Sequence, residues 1–166
     1  MKKLVLAEKP SVGRELARVL NCYRRETGYI EGEHYIVTWA LGHLVELARP
    51  AAYGERYKRW AYDALPILPE TWQYAVRPEK EKQLDILRAL TRRDDVESVV
   101  NACDAGREGE LIFRWVYEYC GCDKPVSRLW ISSMEDAAIR EGFVNLRPGA
   151  DYDTLYSAAE TAERIV

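Results

Sequence analysis

Val96-Glu-Ser-Val-Val-Asn-Ala-Cys-Asp-Ala-Gly-Arg-Glu-Gly-Glu110 is the stretch on which the fold turns. A β-branched apolar run (Val96, Val99, Val100) stops at Asp104, which predicts a strand over 96–103. A helical pattern then runs from about Glu108 to Tyr119 and buries Leu111, Ile112, Trp115 and Val116. Asp104, Glu108 and Glu110, two glycines and Arg107 therefore fall in one strand-to-helix turn. In an open α/β sheet that turn lies at the carboxyl end of a strand, where ligands bind. Acids so concentrated repel one another unless something positive sits among them, and a hard divalent cation with oxygen ligands answers that need. The turn reads as a magnesium (Mg2+) site in a phosphate-chemistry enzyme.

Working outward, Lys3–Ala7 predicts a short buried strand, followed by Glu8-Lys9-Pro10-Ser11 with Glu8 as an exposed strand-end acid. Ser11 is the candidate N-cap of a helix whose stripe is Val12, Leu16, Val19 and Leu20. Tyr29-Ile30 and Tyr35–Trp39, separated by Glu31-Gly32-Glu33, predict a hairpin, and Gly42-His43 a turn in which His43 packs. A helix is expected over Glu79–Arg92, a strand over Leu129–Ile131 and a helix over Met134–Leu146. Strands alternating with helices imply an α/β fold, a Rossmann-like parallel sheet flanked by helices.

From Arg49 to Pro78 periodicity is lost and four prolines appear, so an irregular insertion is expected within about 28–78. Its Tyr53, Tyr57, Lys58, Arg59, Trp60 and Tyr62 mix basic and aromatic groups as single-strand-binding surfaces do. The tyrosines read as anchors of the insertion, and Arg59 with Trp60 as a candidate DNA contact. Tyr152–Val166 is amphipathic and meets no stop signal, so it reads as a helix leading out of a domain spanning 1–150 into a further domain.

Composition sets limits. The chain has 166 residues, 48% of them hydrophobic, enough for one full core. No apolar run approaches membrane-spanning length, and a cytoplasmic location is expected. Net charge is -3, so a nucleic-acid surface has to be local or supplied by another domain. Cys22, Cys103, Cys120 and Cys122 lack paired zinc-ligand spacing, and Cys103 and Cys120 read as core residues.

Ala7-Glu-Lys-Pro-Ser11 after the first strand, with Asp104-Ala-Gly-Arg-Glu-Gly-Glu110 after a later one, resembles the Toprim domain. More narrowly, with Leu41-Gly-His-Leu-Val-Glu46, Leu65-Pro-Ile-Leu-Pro69 and Arg128-Leu-Trp-Ile-Ser-Ser133, the chain resembles type IA DNA topoisomerases of the topoisomerase III branch. The resemblance implies a Toprim-like fold and an enzyme that cuts and reseals one DNA strand through a 5'-phosphotyrosine link without ATP. By resemblance Glu8 lies beside the scissile phosphate, moves a proton and helps hold Mg2+, and Lys9 stabilises charge on the phosphate. Asp104 and Glu108 match acids of the family's Asp-x-Asp-x-Glu pattern and would be metal ligands.

The middle acid of that pattern is Gly106 here, so one direct ligand is missing and weak Mg2+ binding is expected. Glu110 reads as a first-turn helix acid more than as a ligand. Arg107 has three readings: a pair with Glu8, a pair with Glu110, or a DNA phosphate contact. None of the eleven tyrosines matches the family's attacking residue, which belongs to a later domain, so this stretch is expected to hold half an active site. The partners implied are DNA, single-stranded in form, and the remaining domains of the same polypeptide. A Toprim nuclease or primase-like phosphodiester enzyme would use the same acids without a tyrosine. A receiver-like metal-binding domain would carry an acidic pair where this chain has Glu-Lys-Pro.

Overall fold

The computed structural model describes residues 1–47 and 74–164. In chain order the elements are β1 Lys2–Ala7, α1 Pro10–Val19, β2 Arg24–Glu26, β3 Tyr29–Glu31, β4 Tyr35–Trp39, β5 Val45–Leu47 and β6 Tyr74–Val76. They continue with α2 Glu81–Thr91, β7 Val96–Ala102, α3 Arg107–Tyr119, β8 Val126–Arg128, α4 Asp136–Val144, β9 Arg147–Pro148 and α5 Asp153–Arg164. Short 3-10 turns, Pro78–Lys80 and Gly149–Tyr152, lead into α2 and α5.

Seven strands form one sheet in the order β2-β3-β4-β1-β7-β8-β9. Its centre, β4-β1-β7-β8, is parallel, as the alternation of strands and helices requires. Both margins are antiparallel, so the sheet is mixed, and the expected hairpin at Tyr29–Trp39 forms one of those margins. At β2-β3-β4 the physical reason is connection length, since these strands are joined by short turns and no helix intervenes to carry the chain back; at the other margin β9 runs antiparallel to β8 after α4.

Side chains alternate across β1, so Val5 and Ala7 face one layer and Leu4 and Leu6 the other. Leu16, Ala17 and Val19 of α1 and Ile139 of α4 close the first face. Leu84, Leu87 and Leu90 of α2, the apolar side of α3 and Ala159 of α5 close the second. Each fully buried side chain of this kind contributes about 1.5–3 kcal/mol, so both faces are firmly covered. Cys103 and Cys120 lie in this core, and all four cysteines are free thiols.

Several boundaries move. Helix α1 starts at Pro10 with Lys9 as N-cap, not Ser11. Proline needs no hydrogen bond for its nitrogen and has the right φ for a first helical position. The expected strand at 129–131 lies earlier, at Val126–Arg128, because a fully buried arginine occupies an inward position that hydropathy assigns to an apolar residue. Two short strands bracket the middle of the expected insertion: Val45–Leu47 pairs antiparallel with Tyr74–Val76, a two-stranded sheet that no periodicity in the sequence announces. Arg59, Trp60 and the tyrosines near them lie outside the described residues. Among the described residues no helix is long and apolar enough to cross a membrane.

Candidate active site

Strands β1 and β7 are neighbours in parallel register, with Ala7 opposite Ala102. Beyond these residues the chain leaves β1 for α1 on one face of the sheet and leaves β7 for α3 on the other. The two exits diverge and open a crevice at the carboxyl edge, the position where doubly wound sheets take ligands. Glu8 stands at one lip and Asp104 at the other.

Glu8 is buried, 8% exposed, where the sequence suggested an exposed acid. Its Oε1 accepts a long hydrogen bond, 3.4 Å, from the Asp104 backbone N–H. Burial, and after it the Asp104 charge, raises the Glu8 pKa above the usual carboxyl value, and Glu108 adds to this. The Asp104 N–H and Lys9 pull the other way without cancelling it. Asp104, Lys9, Arg107 and Glu108 are exposed around the crevice. A cleft of about 340 Å³ beside Asp104 is walled by Val12, Cys103, Leu129, Ile131 and Met134.

The acidic turn rests on charges that hydropathy could not reveal. Arg128 donates from one guanidinium nitrogen to the carbonyls of Asn101 and Cys103, and from the other to Asp104 O at 2.8 Å. The Cys103 and Asp104 carbonyls thus find a donor once the ladder ends, and Asn101 O, already bonded by Leu129 N–H, gains a second. Arg128 Nε lies 2.8 Å from Glu110 Oε1 as an ion pair, without the alignment of a hydrogen bond. Glu110 also accepts from Asn101 Nδ2 at 3.0 Å and from Arg114 Nε at 3.0 Å. The second glutamate of the motif is a first-turn acid of α3, as expected, and is buried as a counter-ion beneath the turn. Gly109 is required by contact: a Cβ there would stand 1.9 Å from Asp104 O.

Arg107 forms neither ion pair considered for it, since Glu110 is taken by Arg114 and Arg128 and Glu8 receives the Asp104 N–H. Glu108 is near enough to raise the Glu8 pKa, while its Oε1 lies 3.1 Å from His43 Nε2. Glu8 and Asp104 are thus joined by a hydrogen bond, and Glu108 is engaged by His43 instead. Among the described residues no group of three acids, histidines or cysteines is placed to hold a metal. Two nearby carboxylates suit a cation that keeps much of its water, as magnesium does, and do not form a protein cage.

Asn101 and Arg128 are the residues that sequence reasoning passed over, and His43, read there as a packing residue of a turn, also reaches Glu108. For Arg128 the signal was available: a lone arginine ahead of an apolar Leu-Trp-Ile run and close after the acidic turn. For Asn101 it was a polar residue inside a β-branched strand. His43 carried no signal beyond following a glycine.

Comparison with known proteins identifies the family. The chain is 52% identical over 158 residues to DNA topoisomerase 3 of Bacillus subtilis (strain 168), covering 95% of this chain and 22% of that protein. It is 51% identical, with the same coverage, to DNA topoisomerase 3 of Bacillus anthracis. The chain therefore spans about a fifth of the length of the curated relatives it matches. In fold it is similar to full-length topoisomerase I from Thermotoga maritima, with TM-score 0.58 and 21% identity over 87% of this chain and 21% of that one. The Toprim domain model matches residues 3–134, which takes in both strand ends, the acidic turn and the buried arginine beneath it, and the chain belongs to the Toprim domain family.

Proposed function

We propose that this chain forms the metal- and phosphate-binding half of the active site of a type IA DNA topoisomerase. In this reading the whole enzyme, without ATP, cuts one strand of DNA, holds it as a 5'-phosphotyrosine and reseals it. The observation that carries it is the meeting of Glu8 and Asp104 across the β1–β7 crevice, in a chain half identical to proteins named DNA topoisomerase 3. The attacking tyrosine is assigned to polypeptide outside this chain, with α5 leading from the domain of residues 1–150 toward it. The substrate is single-stranded DNA, and the working compartment is the cytoplasm.

Each residue's part follows from its setting. Glu8 and Asp104 would hold Mg2+ through one or two carboxylate contacts, with Glu108 in reserve. When bound, the cation supplies positive charge to the phosphate and to the acids around it. Glu8, whose burial favours its protonated form, exchanges a proton with the hydroxyl groups that gain or lose the phosphate. Lys9, at the exposed mouth, faces charge that builds on the phosphate oxygens. Arg107, unpaired by Glu110, is available to a neighbouring DNA phosphate. Arg59 and Trp60 remain candidates for contact with the strand further out.

The test uses the longer polypeptide and the 166-residue chain side by side. In the longer protein, Glu8→Ala lowers strand cleavage by about 100-fold or more, the scale of a lost general acid–base group, and Lys9→Ala slows it less. The chain by itself neither relaxes supercoiled plasmid nor forms a protein–DNA adduct on a denaturing gel. Full plasmid relaxation by Glu8→Ala would overturn the assignment. Nicking by the chain without an adduct would replace it with a Toprim nuclease.

A further inference from the structure

We propose that His43 is a positioning residue of this site. It holds the Glu108 carboxylate aside from Glu8 and Asp104, so that the resting site offers a divalent cation two carboxylates and gains the third only when the His43 contact breaks. The inference rests on the reading of Glu8 and Asp104 as the cation's ligands and adds a restraint on the remaining acid.

The geometry points to His43 because its turn touches both halves of the site. The Gly42 N–H donates to the Glu8 carbonyl at 3.2 Å, which fixes the turn to the segment carrying the first acid. Gly42 has φ +71°, a conformation that any side chain would strain, so the turn depends on glycine to present the next residue. Lys80, just before α2, donates from Nζ to the carbonyls of Leu41 and His43 and clamps the turn from the other side. The His43 ring lies 6.3 Å, centroid to centroid, from the buried Trp115 of α3.

With backbone and ring both placed, His43 Nε2 reaches Glu108 Oε1 at 3.1 Å. A neutral imidazole makes this contact as the tautomer that carries its proton on Nε2. Glu108 is 75% exposed in its side chain and sits in the first turn of α3, where it would otherwise sample several rotamers. One hydrogen bond from an anchored ring selects the rotamer in which the carboxylate is engaged by His43. That selection accounts for why three acids in one turn and its neighbour form no three-membered cluster.

The experiment measures Mn2+ binding to the 166-residue chain by the electron spin resonance of free Mn2+, with Mg2+ calorimetry beside it. His43→Phe keeps a ring against Trp115 and removes the donor; it binds Mn2+ about three- to tenfold tighter, the gain of one freed carboxylate. His43→Gln retains an amide donor and stays near the parent affinity. Adding Glu108→Gln to His43→Phe returns the affinity to the parent level, which assigns the gain to that one carboxylate.

If the parent binds Mn2+ and His43→Phe binds it equally or more weakly, the inference falls while the cation site stands. If neither chain binds Mn2+, the cation site itself falls, and the role of His43 falls with it. The contact is also read without metal and without altering His43. Long-range 1H–15N spectra should place the His43 proton on Nε2, and Glu108→Ala, at an exposed position, should shift that resonance. An unmoved resonance overturns the proposal even if His43→Phe fails to fold.

Discussion

Two charge clusters sit at opposite ends of the same central strands, and they are built in opposite ways. At the amino edge, Glu31 is 3% exposed and is surrounded by cations: Lys2, Arg24 and Arg93, with Arg93 also bridging to Asp95. At the carboxyl edge, Glu8 is comparably buried but faces Asp104 and Glu108, with Lys9 as the nearest positive charge that counters them. Hydrogen bonds from Arg93 hold the Glu31 pKa down to about 2, whereas burial and Asp104 push Glu8 upward. The first cluster is saturated and fastens β1, β2, β3 and the start of β7. The second is left short of positive charge, as a site needs to be if its missing charge arrives with the ligand.

The largest effect expected from this contrast is on stability. Glu31→Ala takes the ion-pair partner from Lys2 and one of two partners from Arg24 and Arg93, and should cost about 2–3 kcal/mol, below the range for a fully buried pair because Arg24 keeps Glu26 and Arg93 keeps Asp95. Urea unfolding of the chain measures it, and a loss under about 0.5 kcal/mol would show the cluster to be ornamental. The pH dependence has a definite sign. Glu31 has a depressed pKa, so its contribution is complete above the usual carboxyl value of 4.5 and is lost as pH falls toward about 2.

A smaller effect sharpens the other side of the comparison. Gly106 has φ 162°, extended backbone open to any residue, and a Cβ there meets nothing within 4 Å. Gly106→Asp should therefore fold without strain and tighten Mg2+ binding by about tenfold, since it adds an oxygen ligand to a cation now held by few. Calorimetry on parent and variant measures it, and unchanged affinity would mean that the position does not face the cation.

The smallest effect is a gain. Glu8 has a raised pKa, so its ionised form opposes folding at neutral pH, and the penalty fades as pH falls through that pKa. Glu8→Gln should raise the melting temperature at pH 7, and the gain should shrink in acid. A lower melting temperature at pH 7 would place Glu8 with Glu31 as a structural acid and erase the contrast.

The sequence carried the layout better than the linkages. Val96 to Glu110 announced a strand, a turn and a helix because β-branched residues, glycines and a 3.6-residue stripe are local signals. The adjacency of Glu8 and Asp104 followed from parallel topology, since both acids end strands. Burial of Glu8 was not legible, because it depends on α1 and the turn at Gly42 folding over it. Nor was the role of Glu110, whose partners Asn101, Arg114 and Arg128 come from three separate elements. The same limit hid His43 and the Glu31 cluster: a charge read along the chain shows its sign and not its company.

The pairing of β5 with β6 bears on the segment between them. Leu47 lies opposite Tyr74, so the chain departs from the domain and returns to it at adjacent points of one small ladder. The cost of closing that ladder grows only slowly with the length of chain between its strands, by about 0.6 kcal/mol for each doubling. For engineering, this makes β5 and β6 a pair of fixed anchor points between which the length of the connecting chain can be varied at small entropic cost.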